Sequence, residues 1–497
     1  MNSAFPSVCN GRGIIAGRQM SSMATPPWPR RTNTLCSDTG CGFGGQLTAL
    51  RWPERETGSV TPARQYAEPA KPLDHDAGRS AQQDHDRLLY FDDYATKMRI
   101  ETRFRSTIQI PEENSLAALE VMSRFAIDPR WLIYLPPTMA ACPTALDGPF
   151  LEHPTQAIQH YVDRGVTDLV AEEKHMGSRA LMVIAKDAAM AKQRFGVEDG
   201  KAGVIYTRTG RPFFKDDTQE AGLVARIGAA LDKSGLWADL QTDWVLLDTE
   251  LMPWSAKAQV LLQKQYRPTV VAAQASANAV LQVIGQGDHL TDLADLKASS
   301  LRQAENASVM GQTIDGYCWA ADSIDDYRIA PFHILAAEGK VFIDQPHPWH
   351  METLARLCEV DPIIQKTGWK RFDTGNADRS AEIVDWWLTH TGRGGEGLVI
   401  KPTEFLLRGE RGLIQPAMKV RGRDYLRIIY GPDYDIPANI ERLRKRGLGR
   451  KFSLAEREFK LGFAGLYRFV ERQPLSKVHA CALAVLALES EPSDPRL

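Results

Sequence analysis

Glu172-Glu173-Lys174-His175-Met176-Gly177-Ser178-Arg179 follows directly on the apolar run Leu169-Val170-Ala171. The apolar run reads as a strand, and it delivers Lys174 to the strand's end. A glycine stands at +3 from this lysine and an arginine at +5. A lysine attacks phosphorus only as the free amine, and its ordinary pKa is ~10.4. Neighbouring positive charge or burial lowers that value. Gly177 permits close approach of backbone to a bound ligand. Arg179 can donate paired hydrogen bonds to phosphate or ribose oxygens, and its charge would help depress the lysine. Taken alone, Lys-x-x-Gly-x-Arg describes a charged turn at least as well as a site.

Four downstream segments change the balance. Tyr206 to Phe214 places Arg208 and Arg211 around Gly210, which suits a phosphate-binding loop or a solvated hairpin equally. Asp248 and Glu250 in Leu247-Asp248-Thr249-Glu250-Leu251 project to one side of a strand, because side chains alternate. Two like charges on one face call for a divalent metal or a basic side chain between them. Phe332, in Arg328 to Leu335, fits purine stacking and core packing about equally. Gly394-Gly395-Glu396-Gly397 opens an apolar strand ending in Lys401, and Lys419 and Arg421 alternate with apolar residues. Such cations suit a triphosphate, whose charge must be neutralised as pyrophosphate leaves.

Outward from these segments, many short β-type runs with interspersed helices over about 150–436 predict an α+β fold rather than regular βαβ alternation. The helices include 219–233 and 380–390. A stretch rich in Ala, Gln and Leu, about 255–312, reads as a helical insertion. Residues 87–149 form an N-terminal module: 102–110 alternates like a strand, 114–125 is helical, and Trp131 to Leu135 is a strand stopped by prolines. Residues 437–497 form a small helical module, with a capping-box signature at Ser453 and Glu456 and Phe459, Phe463, Leu466 and Val470 on one face. The basic run Arg442, Arg444, Lys445, Arg446, Arg450 and Lys451 fits a solvated face better than a backbone-tracking stripe. Eight prolines and nine glycines in residues 1–86, with few periodic apolar positions, predict a disordered or mis-called tail.

The bulk numbers exclude several classes. A formal net charge of −2 gives no global basic field, so any polyanion must be met by local patches. No run approaches the ~18 apolar residues of a membrane span. The N-terminus lacks a signal-peptide pattern. Seven scattered cysteines without a Cys-x-x-Cys pair argue against a disulfide framework or zinc site and for a reducing cytoplasm.

The segments together, in this order, resemble the covalent nucleotidyltransferase superfamily of ligases and mRNA capping enzymes. Lys174–Arg179 resembles its motif I, Asp248–Glu250 motif III, Glu396–Lys401 motif IV and Lys419–Arg421 motif V, with Phe332 in the segment after III. The runs 172–179, 206–214, 250–258 and 425–432 are similar to the ligase domain of bacterial polynucleotide kinase-phosphatase, an RNA end-healing and sealing enzyme. The similarity extends from about Leu88 to the C-terminus and includes 122–131.

This resemblance implies a fold of ATP-grasp-like antiparallel sheets with flanking helices. It implies an ATP-dependent RNA ligase using Mg²⁺ or Mn²⁺, with Lys174 as the nucleophile and Gly177, Arg179, Glu250, Phe332, Glu396, Lys401, Lys419 and Arg421 around the nucleotide. Glu250 and Glu396 would also serve the metal, and Arg208 and Arg211 the nucleic acid. RNA with 5′-phosphate and 3′-OH ends is the implied substrate and a 3′-terminal RNA 2′-O-methyltransferase an implied partner; a homodimer stays open. Two departures stand out. Residues 1–86 hold no P-loop kinase or metallophosphoesterase signature, so end healing is not expected. Met176 replaces the Asp or Asn that many DNA and RNA ligases carry there, which points away from a generic DNA ligase and from GTP-dependent capping. An adenylyltransferase that cannot seal, and a non-catalytic RNA-binding scaffold, are the competing expectations.

Overall fold

The computed structural model describes residues 47–51, 56–60, 88–286, 293–410 and 412–496. Most of the expected tail lies outside these residues. Within it, β1 (Leu47–Arg51) and β2 (Glu56–Val60) pair as an antiparallel hairpin. A second hairpin joins β3 (Met98–Thr102) to β4 (Ser106–Ile110). The strand expected over 102–110 therefore begins after a turn, in which Arg105 takes φ 56°.

Two five-stranded sheets form the centre. Their strands, in chain order, are β5 (Ala140–Ala141), β6 (Asp168–Lys174), β7 (Ser178–Ala185), β8 (Gly203–Thr207), β9 (Trp244–Met252), β10 (Arg328–Ala337), β11 (Lys340–Val341), β12 (Trp369–Asp373), β13 (Gly397–Pro402) and β16 (Met418–Arg421). A small hairpin of β14 (Arg408–Gly409) and β15 (Gly412–Leu413) intervenes. One sheet has the order β11-β10-β9-β7-β8 and the other β12-β6-β13-β16-β5. Every pairing is antiparallel except β16 with β5. The mixed α+β expectation is what the chain forms.

Period-two alternation decides what each sheet face carries. On β7, Ala180, Met182 and Ile184 join a core with Leu223, Val224 and Ile227 of the helix Asp217–Lys233. Leu181, Val183 and Ala185 point the other way, into a core shared with the C-terminal helices Gly449–Val470 and Leu475–Leu488. In the second sheet, Leu169 and Ala171, Leu398 and Ile400, and Met418 and Val420 pack on Tyr161 and Trp387. The alternate positions Glu172 and Lys174, Val399 and Lys401, and Lys419 are left for the opposite face, where the two sheets leave a cavity between them.

Two local readings are corrected. Trp131 to Leu135 is not a strand. One 3₁₀ turn, Pro129–Trp131, leads into extended chain that joins neither sheet, and the prolines at 136 and 137 lack the donors a ladder needs. The segment is nonetheless fully buried, from Trp131 to Leu135. Ser453 does not cap a helix; the helix starts at Gly449, and Glu456 instead pairs with Lys460 at 2.6 Å. Among its described residues the stretch about 255–312 is helical as expected, with Ser255–Leu261, Arg267–Gly285 and Ala294–Gly316.

Candidate active site

β6 ends at Lys174 and the chain reverses through Gly177 into β7. A Cβ on Gly177 would stand 2.4 Å from the Leu251 carbonyl oxygen, so only glycine lets this turn lie against β9. The Gly177 N–H then donates to Glu250 Oε1 at 3.1 Å. On the neighbouring strand Gly397, at φ 150°, has the Val420 carbonyl oxygen 2.1 Å from where a Cβ would be. Gly397 pairs with Lys174 on one side and Arg421 on the other, which brings Glu396 over the lysine.

The Lys174 ammonium lies 2.7 Å from Glu396 Oε1. Glu396 is 2% exposed, and neither of its oxygens accepts a protein hydrogen bond of good geometry. Arg179 grips Asp248 in a bidentate pair, at 2.8 and 2.5 Å, and donates to the Pro137 carbonyl at 2.9 Å. Its guanidinium carbon is 5.7 Å from the centre of the Phe332 ring. Burial raises the Glu250 carboxyl to about 7, partly offset by Lys174. Burial also lowers Lys419 to about 7, with Arg421 and Lys174 adding repulsion. The site thus holds one carboxyl and one amine that both change charge near neutral pH.

A cavity of about 390 Å³ opens beside these groups, and neither Glu396 nor Gly177 lines it. Lys174, Arg179, Glu250, Phe332, Lys401 and Lys419 all reach it, and so does Arg208. Lys401 is buried, 2.6 Å from Glu172 Oε1 and 3.3 Å from His333 Nε2, so its charge is committed to the wall. Arg421 is not brought in. It turns to Glu152, donating through Nε at 3.1 Å and Nη2 at 2.6 Å, and Arg446 completes the buried cluster at 2.9 Å. Arg211 also parts from Arg208, stacking its guanidinium 4.7 Å from the Phe125 ring centre on the outer surface.

Several lining residues escaped the sequence reading. Glu172 had a signal, since it shares a strand face with Lys174. His333 and His347 lie 3.2 Å apart between Nε2 and Nδ1, and burial holds both well below the ordinary histidine range, so they are neutral. Phe405, Phe459, Phe463 and Lys451 come from the loop after β13 and from the helix Gly449–Val470. No local pattern links those residues to Lys174.

A lysine at the end of β6, a carboxylate against it from the turn before β13, a second carboxylate from β9 and a lysine from β16, set between two largely antiparallel sheets, fit a nucleotidyltransferase-type domain. Residues 117–492 match the family described as PNKP adenylyltransferase domain, ligase domain, and the chain belongs to that family. Two solved structures of a Pnkp1/Rnl/Hen1 complex contain a chain of the same fold. One is 19% identical with TM-score 0.53, over 73% of this chain and 95% of that one. The other, from the Pnkp1/Rnl/Hen1 RNA repair complex, is 18% identical with TM-score 0.52, over 74% and 98%. A 50-residue stretch is 56% identical to a bis(5′-nucleosyl)-tetraphosphatase PrpE of Anoxybacillus flavithermus; it is 10% of this chain, which spans about a fifth of that curated relative.

Proposed function

We propose that the chain is an ATP-dependent RNA ligase in which Lys174 becomes adenylylated. The observation that carries this reading is the Lys174–Glu396 contact of 2.7 Å, with Lys174 lining a cavity that Lys419 and Glu250 also line. As the free amine, Lys174 Nζ attacks the α-phosphorus, its bond to the bridging oxygen breaks, and pyrophosphate leaves. Glu396 orients the amine. Lys419, held to about 7 by burial, takes up a proton when phosphates enter and neutralises the leaving charge. Arg179, fixed by Asp248, faces the ribose side, and Phe332 stacks on the adenine. Lys401 acts through Glu172, which it holds in place.

The carboxylates fit Mg²⁺ or Mn²⁺. Glu396 faces Lys174 with Oε1 and keeps a buried Oε2 without a donor, and Glu250 commits one oxygen to Gly177. Among the described residues no cluster of three or more His, Cys, Asp or Glu forms a cage. Mg²⁺ is commonly held by one or two carboxylates plus phosphates and water. When bound it would neutralise charge on the phosphates.

AMP would then pass to a 5′-phosphate and a 3′-OH would displace it, sealing RNA. A chain of this fold in the Pnkp1/Rnl/Hen1 RNA repair complex supports RNA repair as the setting, and a 3′-terminal RNA 2′-O-methyltransferase is the partner proposed. A cytoplasmic location is part of the proposal; among the described residues no helix is long and apolar enough to cross a membrane, and Cys142, Cys318, Cys358 and Cys481 are free.

The test is incubation with ATP labelled on the α-phosphate and Mn²⁺, followed by denaturation. An acid-labile label on the wild type, absent from Lys174→Ala, is expected. No label, or a label that survives the substitution, overturns the mechanism. Nicked RNA with 5′-phosphate and 3′-OH ends is then offered; label without sealing would support an adenylyltransferase that does not seal.

A further inference from the structure

The cavity contains a second cationic centre that the chemistry at Lys174 does not use. Arg208 enters it from the turn after β8, and Lys451 from the first turn of the helix Gly449–Val470. The Arg208 guanidinium has one carboxylate, Glu489, at 2.5 Å. Lys451 is half-buried, and among the described residues no hydrogen bond or ion pair takes up its ammonium. Glu458, buried nearby, commits one oxygen to the Thr138 N–H at 2.6 Å. Lys451 is influenced by Glu458, Arg208 and Glu489, whereas Lys419 is influenced by Arg421, Lys174, Glu152 and Glu396. One cavity therefore holds two groups of cations with separate counter-ions.

Among the described residues Arg208 has its one ion pair with Glu489 and Lys451 has none, so two like charges facing one partly desolvated wall keep donors free that an anion could share. A guanidinium fork beside a lysine point charge is a donor set suited to a phosphate dianion. We propose that Arg208 and Lys451 form a second phosphate subsite, occupied by a phosphate other than the one Lys174 attacks. The phosphate belongs either to the tail of the nucleotide or to the 5′ end of the RNA. The proposal rests on the lysyl-AMP reading of the same cavity, and it gives the C-terminal module a binding role in addition to packing.

The variants are Lys451→Met, which keeps the aliphatic stem, Lys451→Arg and Arg208→Ala/Lys451→Met. Two steps are followed separately: labelling from ATP, and AMP transfer from pre-labelled enzyme to 5′-phosphate RNA. Lys451→Met is expected to slow one of them about tenfold or more, and Lys451→Arg to restore it. A raised KM for ATP in the first step assigns the nucleotide's phosphate. A slowed second step, with 5′-phosphate RNA bound no better than 5′-hydroxyl RNA, assigns the RNA's phosphate. If both steps match wild type in folded Lys451→Met and in the double variant, the subsite is overturned. If the wild type takes no label at all, the lysyl-AMP reading fails instead. The subsite is then decided by calorimetry with inorganic pyrophosphate, where equal affinity in wild type and Lys451→Met overturns it.

Discussion

The cavity has two walls built on different principles. The strand wall presents Lys174, Glu172, Val399, Lys401 and Lys419 from three neighbouring strands, each placed by alternation and by antiparallel register. The helical wall presents Lys451, Ala455, Phe459 and Phe463 from one helix at a regular spacing of four residues. Strand positions are fixed by neighbours in a ladder, so a short motif locates them. Helix positions are fixed by docking, here of Phe463 on Tyr134 at 5.4 Å and on Phe405 at 5.7 Å between ring centres. A strand wall can be written in motifs, and a helical wall only in contacts.

The link between the walls is where the comparison breaks most easily. Glu152 is wholly buried and held to about 2, because Arg421 of β16 and Arg446 of the C-terminal module outweigh the effect of burial. Glu152→Ala leaves two guanidinia without a counter-charge and should cost about 3–5 kcal/mol, read by urea unfolding. The loss should appear as undocking of the module before the sheets unfold. A variant as stable as wild type would show that the walls are held together elsewhere.

Next in size is a pH effect confined to the strand wall. Glu250 stands at about 7 against an ordinary 4.5, and Lys419 at about 7 against 10.5. A raised carboxyl contributes stability that is present below its unfolded value and lost as pH climbs to about 7. The depressed lysine carries a cost that is full below about 7 and relieved as pH rises towards its unfolded value. Both effects make the empty site least favourable near neutrality. Wild type minus Glu250→Gln/Lys419→Met should therefore show a stability minimum near pH 7, measured by denaturant unfolding across the range; a flat difference would sink this account. Metal-free ATP binding just above neutral pH should take up a proton, and Lys419→Met should abolish that uptake in calorimetry with buffers of different ionisation enthalpy.

Much of the strand wall was legible in the sequence. Lys174 and Glu396 stand at a strand end or beside glycines that only tight turns explain, Lys419 alternates with apolar residues, and those signals are local. Arg421 misled because alternation gives a side chain its face but not its partner, and Glu152 lies far away in the chain. Trp131 to Leu135 misled for a related reason: an apolar run reports burial, while pairing depends on donors that prolines remove. Phe459 and Phe463 carried the periodicity of a helix face, and nothing in that pattern names the cavity they would close.

The basic run 442–451 gives the smallest effect and separates composition from geometry. In the sequence it is one stripe, but the fold sends its members in different directions. Arg446 is buried on Glu152 and the Cys142 carbonyl, and Arg444 is engaged with Glu441 and the Gly148 carbonyl. Lys451 enters the cavity, while Arg442, Lys445 and Arg450 remain exposed. A stripe that tracked a phosphate backbone would lose about one unit of salt slope for each phosphate-contacting cation removed. Arg442→Ala/Lys445→Ala should leave both the salt slope of RNA binding and the stability essentially unchanged, the latter within about 0.5 kcal/mol. Binding isotherms over a salt series check this. A slope reduced by about two would mean that the exposed cations act together on RNA, and that the helical module recognises it on its outer surface as well as through Lys451.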